Sequence, residues 1–131
     1  MIDAVINVFN AFPDIVAAYF FGSRVYGKMA KTSDYDVAVL FRDDYHLDEL
    51  LNITIRLAEA LDADLDSIDV VGLNDAPVEL AYDIIARGKL VYCIDTELRV
   101  DFETRLMKEY MDLKPFLDVY YEHLFSRFLK T

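Results

Sequence analysis

One cysteine, three prolines and four glycines are all this chain has of the residues that staple, break or loosen a fold. A lone Cys93 excludes a disulfide framework and a Cys-based zinc site, and its thiol reads as a small buried hydrophobe. So little Gly and Pro excludes collagen-like and linker-rich architectures. No apolar run approaches the ~20 residues a membrane span needs. The opening Met1-Ile2-Asp3-Ala4 lacks the basic stretch of a signal peptide, so a cytoplasmic location is expected. Positive charge is also short: 13 Lys and Arg stand against 24 Asp and Glu, a formal charge of −11. A surface that acidic repels phosphate backbones, so no direct nucleic-acid binding is expected, and no membrane association.

Apolar residues are plentiful. At 55% hydrophobic over 131 residues, the chain can build one real core. Ala4 to Phe12 carries Val5, Val8, Phe9 and Phe12 on one helical face, and Pro13 ends it. Ile15 to Phe21 is a near-continuous apolar run that predicts a strand covered on both faces, ended by Gly22. Tyr35 to Phe41 predicts a second strand. Leu47 to Leu61 predicts a helix, its apolar face read as Leu47, Leu50, Leu51, Ile55, Ala58 and Leu61, widened by Leu57. Ser67 to Leu73 predicts a third strand. A helix follows, capped by Asn74 or Asp75 with Pro77 in its first turn and closed by Gly88 in left-handed backbone. Leu90 to Ile94 predicts a fourth, short strand. The alternation gives an α/β fold with one small mixed sheet of about four strands flanked by helices.

Residues 1–94 form the expected core, and residues 95–131 a C-terminal helical tail within the same domain. In the tail, Leu106, Tyr110, Leu113, Leu117, Tyr120 and Leu124 recur at spacings of four and three. Pro115 is expected to kink or split the helix. Packing on the sheet accounts for part of this stripe. The rest suits a protein interface, with a partner or a second copy, because a small core cannot cover so many aromatics.

The chemistry concentrates between Gly22 and Asp36. Gly22 to Ser33 holds Arg24, Lys28 and Lys31 and no acid, a basic island in an acidic chain. Asp34 and Asp36 stand two apart at the start of a strand, which puts both carboxylates on one face. Side-by-side acids on a buried strand are costly unless they hold a cation, and oxygen-only ligation suits Mg²⁺. Asp69 is the next acid inside a strand, with Asp66 the competing candidate. If that strand lies beside the one carrying Asp34 and Asp36, three carboxylates converge, as a two-metal phosphoryl or nucleotidyl transfer site requires. Gly22-Ser23, after a buried strand, lets a phosphate approach backbone donors and a hydroxyl. Taken singly, Gly22-Ser23 could end any strand, Asp34 could cap a turn, and Asp69 could be an edge-strand charge. His46 reads as a helix-start residue and His123 as a surface residue.

Gly22-Ser23, ten residues, then Asp34-Tyr35-Asp36 resembles the nucleotidyltransferase signature Gly-Ser…Asp-x-Asp. Arg24, Gly27 and Ser33 extend the match to the pattern of the minimal nucleotidyltransferases, in the DNA polymerase beta-like superfamily. The resemblance covers residues 15–92 and, more loosely, the tail. It implies ATP as substrate and two Mg²⁺ ions held by Asp34, Asp36 and Asp69, the catalytic carboxylates. Gly22, Ser23, Arg24 and Ser33 would bind the nucleotide. It further implies an antitoxin that AMPylates a tyrosine of a HEPN-family ribonuclease toxin and so silences it. Two other functions stay open. A transferase for a small-molecule acceptor usually adds a sizeable acceptor domain, and the tail is short for that. A non-catalytic antitoxin would act by contact alone, and an intact Gly-Ser with three aspartates argues against lost activity.

Overall fold

The computed structural model describes residues 2–22 and 35–129. Four helices and four strands are assigned among them: α1 (Ile2–Asn10), β1 (Ile15–Phe21), β2 (Tyr35–Phe41), α2 (Leu47–Leu61), β3 (Ile68–Gly72), α3 (Val78–Arg87), β4 (Lys89–Cys93) and α4 (Thr96–Leu129). The strands form one mixed sheet in the order β3-β2-β1-β4. β1 runs antiparallel to both β2 and β4, and β2 runs parallel to β3.

Each face of the sheet carries its own core. On one, α1 and α2 pack Val5, Phe9, Ile53 and Leu57 against Val37, Val39 and Phe41. On the other, α3 and the start of α4 pack Ala81, Ile84 and Leu106 against Tyr19, Phe21, Ala38 and Leu40. Two covered faces explain why β1 is an unbroken apolar run rather than an alternating one. An irregularity in the β1–β2 register between Ile15 and Ala17 sends Val16 and Ala17 to the same face. Alternation then resumes, with Ala18 and Phe20 on the α1–α2 side and Tyr19 and Phe21 on the other.

Two side chains finish the sheet where the backbone cannot. The β2–β3 ladder ends at Val39 and Gly72. Beyond it, the Asn74 amide takes the place of strand backbone: Phe41 N donates to Asn74 Oδ1 at 2.9 Å, and Asn74 Nδ2 donates to Phe41 O at 2.8 Å. The Tyr45 hydroxyl donates to Asp75 Oδ1. Asn74 and Asp75 are thus spent on bracing, not on capping α3, whose N-cap position is Pro77. Gly88 is not left-handed either: its φ is −74°. Glycine is required there by close approach, since a Cβ would stand 3.0 Å from the Phe20 carbonyl oxygen. The left-handed helix end belongs to Asp62 after α2, at φ 51°.

Three further expectations need correction. The buried face of α2 is centred on Ile53 and Leu57, while Leu47 is 80% and Leu51 56% exposed. Pro115 does not split the tail: it lies inside one continuous helix. Its position is solvent-facing, where bending carbonyls outward to water relieves the missing hydrogen bond. Cys93 is half-buried, its Sγ 4.0 Å from Thr96 Oγ1. His46 does start α2, and His123 is exposed.

Burial, then the bond to Asp75, pushes the Tyr45 hydroxyl up to about 12. Tyr19, buried and donating to Glu103 Oε2 at 2.6 Å, is raised further for the same kinds of cause. A raised folded-state value favours the neutral phenol. The stability it contributes is fully present below the ordinary tyrosine range near pH 10 and is lost as pH rises through about 12. Alkaline unfolding is therefore expected to begin above pH ~10, and Tyr45→Phe to flatten that loss. Stability measured by denaturant at a series of pH values checks this; an equal alkaline slope in the variant would refute it.

Candidate active site

The C-terminal end of β1 and the N-terminal ends of β2 and β3 meet at one end of the sheet. Antiparallel pairing sets Phe21 opposite Asp36, and parallel pairing sets Asp36 opposite Asp69. In-register residues of neighbouring strands share a face, so both carboxylates project to the side covered by α3 and α4. Asp36 is buried, at 3% exposure, whereas Asp69 on the edge strand is exposed. The condition set by the sequence, that the Asp69 strand lie beside the Asp36 strand, is met. Asp66 lies earlier, in the short 3₁₀ turn Leu65–Ser67, before the ladder begins at Tyr35 and Ile68.

Gly22 closes this corner. Its φ is +88°, in the region that L side chains rarely adopt. A Cβ on Gly22 would lie 2.9 Å from Asp36 Cγ and 3.1 Å from Asp36 Cβ. The Gly22 backbone is therefore pressed against the buried carboxylate. Sequence reasoning assigned Gly22 to a phosphate and missed this second duty, to make room for Asp36. The signal was there: a glycine ending a strand of otherwise bulky residues.

Ser23, Arg24, Ser33 and Asp34, with the basic residues Lys28 and Lys31, lie outside the described residues. Among the described residues, no three His, Cys, Asp or Glu side chains gather to hold a metal. Asp36 and Asp69 supply two hard oxygen donors, one buried and one open to solvent, beside a glycine cradle that a side chain would fill. That donor set fits Mg²⁺ rather than a soft or borderline metal.

A second polar cluster anchors α4 to the same face of the sheet. Tyr19 donates to Glu103 Oε2, and Arg99 NH1 donates to Glu103 Oε1 at 2.9 Å. Asp95 caps the helix: its Oδ1 accepts from Leu98 N at 3.1 Å and its Oδ2 from Arg42 at 3.0 Å, contacts that lower its carboxyl below the usual range.

This is the corner of a nucleotidyltransferase sheet, and comparison with known proteins agrees. The model of the polymerase beta nucleotidyltransferase family matches residues 3–97, and the chain belongs to that family. The protein adenylyltransferase MntA of Shewanella oneidensis is 32% identical over 80 residues. That match covers 61% of this chain, and the chain spans about half the length of that curated relative, 55%. In solved structures, a toxin–antitoxin complex with AMP-PNP contains a chain that superposes with TM-score 0.76 at 24% identity, covering 95% of this chain and 98% of that one. A tri-AMPylated Shewanella oneidensis HEPN toxin in complex with its MNT antitoxin gives TM-score 0.73 at 22% identity, with 95% of each chain covered. At these identities the superpositions establish the fold, a minimal nucleotidyltransferase with its long C-terminal helix. No helix among the described residues is long and apolar enough to cross a membrane.

Proposed function

We propose that this protein is a Mg²⁺-dependent protein adenylyltransferase that moves AMP from ATP to a tyrosine hydroxyl of a HEPN-family toxin in the cytoplasm, and is that toxin's antitoxin. The observation that carries the reading is the in-register pairing of Asp36 with Asp69 beside the left-handed Gly22. The relative named as a protein adenylyltransferase, the fold neighbour with AMP-PNP and the one with an AMPylated HEPN toxin support it.

In this reading Asp34, Asp36 and Asp69 hold the metal ions, and Gly22, Ser23, Arg24 and Ser33 hold the nucleotide. When bound, Mg²⁺ neutralises the phosphates and the charge developing on the leaving oxygen. The tyrosine oxygen attacks the α-phosphorus in line. The bond to the bridging α,β-oxygen breaks, pyrophosphate leaves, and the tyrosine proton passes to the Asp69 carboxylate, the more accessible of the two described acids. Gly22 contributes space: bare backbone lets a phosphate come close without displacing Asp36.

The test is the full chain with labelled ATP, Mg²⁺ and a purified HEPN-family toxin. Label is expected on the toxin, and chelator is expected to stop the transfer and weaken ATP binding in calorimetry. Label confined to small molecules would replace the acceptor. ATP binding that is equal with and without chelator would sink the metal-dependent mechanism.

A further inference from the structure

The sheet has two edge strands, and they are guarded differently. A bare edge offers unpaired N–H and C=O groups to any extended chain, and folded proteins blunt it with lysine, proline or a bulge. β4 carries two such devices: an exposed Lys89 opens it, and its register with β1 shifts between Ala18 and Tyr19. β3 carries neither. Ile68-Asp69-Val70-Val71-Gly72 has no Lys or Pro, and it pairs with β2 from end to end without a shift. On its other side, among the described residues, no strand lies against it and no backbone hydrogen bond from a turn or loop reaches it. Asp69 is exposed, and Val70 and Val71 are half-buried. The open edge is therefore the very strand that brings the Asp69 carboxylate to the candidate site.

We propose that the acceptor tyrosine arrives on an extended, basic segment of the partner protein that adds to β3 as a further strand; this rests on the adenylyl-transfer reading above. In-register residues of neighbouring strands share a face. Asp36, Asp69 and the residue opposite Asp69 on the added strand therefore fall in one row on the α3–α4 side. A tyrosine at that place stands one strand spacing, ~4.8 Å, from the backbone of Asp69, whose carboxylate takes its proton. Charge selects the occupant. Residues 57–86 hold eight acids and no Lys or Arg. Asp62, Asp64 and Asp66 precede β3 and Asp75 follows it, all exposed, so the open edge runs between two acidic flanks. A second copy of this chain, at −11, is repelled there, and so is a nucleic acid. A small-molecule acceptor supplies no backbone to pair with the edge. A tyrosine segment carrying Lys or Arg meets both demands: main-chain hydrogen bonds give affinity without a deep pocket, and charge chooses the segment.

Hydrogen exchange reads the edge directly, on the full chain alone and saturated with a purified HEPN-family toxin. Amides of residues 69–71 that point away from β2 are expected to exchange freely in the chain alone, and about tenfold or more slowly in the complex. Two synthetic peptides, each with one tyrosine between arginines, are N-methylated at alternate residues in opposite frames. Only one frame blocks the donors that face β3, so acceptor KM in the transfer assay should rise about tenfold in that frame and little in the other. Asp62→Asn with Asp64→Asn removes two flanking charges, and asparagine tolerates the left-handed backbone at 62. Acceptor KM should rise several-fold and respond less to salt, while kcat and ATP binding hold. A labelled toxin whose complex leaves residues 69–71 exchanging as before overturns this docking and leaves adenylyl transfer standing. So do peptide frames of equal effect. ATP bound with no label on toxin or peptide overturns the transfer reading, and this proposal with it. Exchange in the toxin complex decides the matter even where short peptides are poor acceptors.

Discussion

Asp36→Asn is expected to lower AMP transfer by about a thousandfold while leaving the chain folded. Asparagine keeps the shape of the side chain in its buried slot and some of its hydrogen-bonding capacity, but removes the charge. A thousandfold loss corresponds to ~4 kcal/mol of transition-state stabilisation, the scale of losing an electrostatic partner of the transferring phosphoryl group. The stability readout separates two roles for this carboxylate. If Asp36 were mainly one half of a buried ion pair, the substitution would strand its cation and cost about 3–5 kcal/mol. If its charge serves the metal site, the apo protein should lose little. Asp36 shares a face with Asp69 one strand away, and removing one of two like charges relieves repulsion. Melting temperature and labelled-AMP transfer should be read on one preparation. A melt lowered by many degrees, with transfer retained in the folded fraction, would make Asp36 structural. Asp69→Asn belongs in the same experiment: its side chain is exposed, so transfer is expected to fall with the melting temperature little changed.

The parts of this fold that were legible in the sequence are those with a one-dimensional signature. β1 and β2 have the bounds read from their apolar runs, because Pro13 and Gly22 punctuate the first and the aspartates open the second. The bounds of α2 were equally legible, but not its orientation. Leu47, Leu51 and Ile55 compete with Ile53 and Leu57 for the inside, and the sequence alone does not choose between neighbouring faces of so apolar a helix. The choice is tertiary: α1 and β3 are the surfaces α2 meets, and they take Ile53 and Leu57. Asn74 and Asp75 misled for a related reason. Both are good helix caps by residue type, but a frayed sheet end at Phe41 and the Tyr45 hydroxyl claimed them first. In the candidate site, the spacing of Asp34 and Asp36 could be read from the chain. Whether Asp69 joined them depended on which strand lay beside β2 and in what register, which pattern cannot supply.

Gly22→Ala is expected to be among the most damaging single-atom changes in the chain, and its cost has two separable parts. Backbone at φ +88° penalises any residue with a Cβ by about 1–2 kcal/mol. The new methyl would also lie 2.9 Å from Asp36 Cγ, an overpacked contact of the kind that costs about 1–3 kcal/mol because buried neighbours cannot step aside. For a chain of this size the sum should lower the melting temperature on the order of 10 °C. Transfer should fall as well, since the atom that must move to admit the methyl belongs to the proposed metal ligand. A double-substitution cycle separates the two parts. In an Asp36→Ala background the conflict with the carboxylate is gone, and the backbone penalty remains with the milder contact at the residue 36 Cβ, 3.1 Å away. Gly22→Ala should then cost about 1–3 kcal/mol less than in the wild-type chain, a coupling well above the ~0.5 kcal/mol at which distant sites stop being additive. Equal cost in both backgrounds would mean that Gly22 is needed for its backbone angle alone, and that its contact with Asp36 contributes nothing to the choice of glycine at the end of β1.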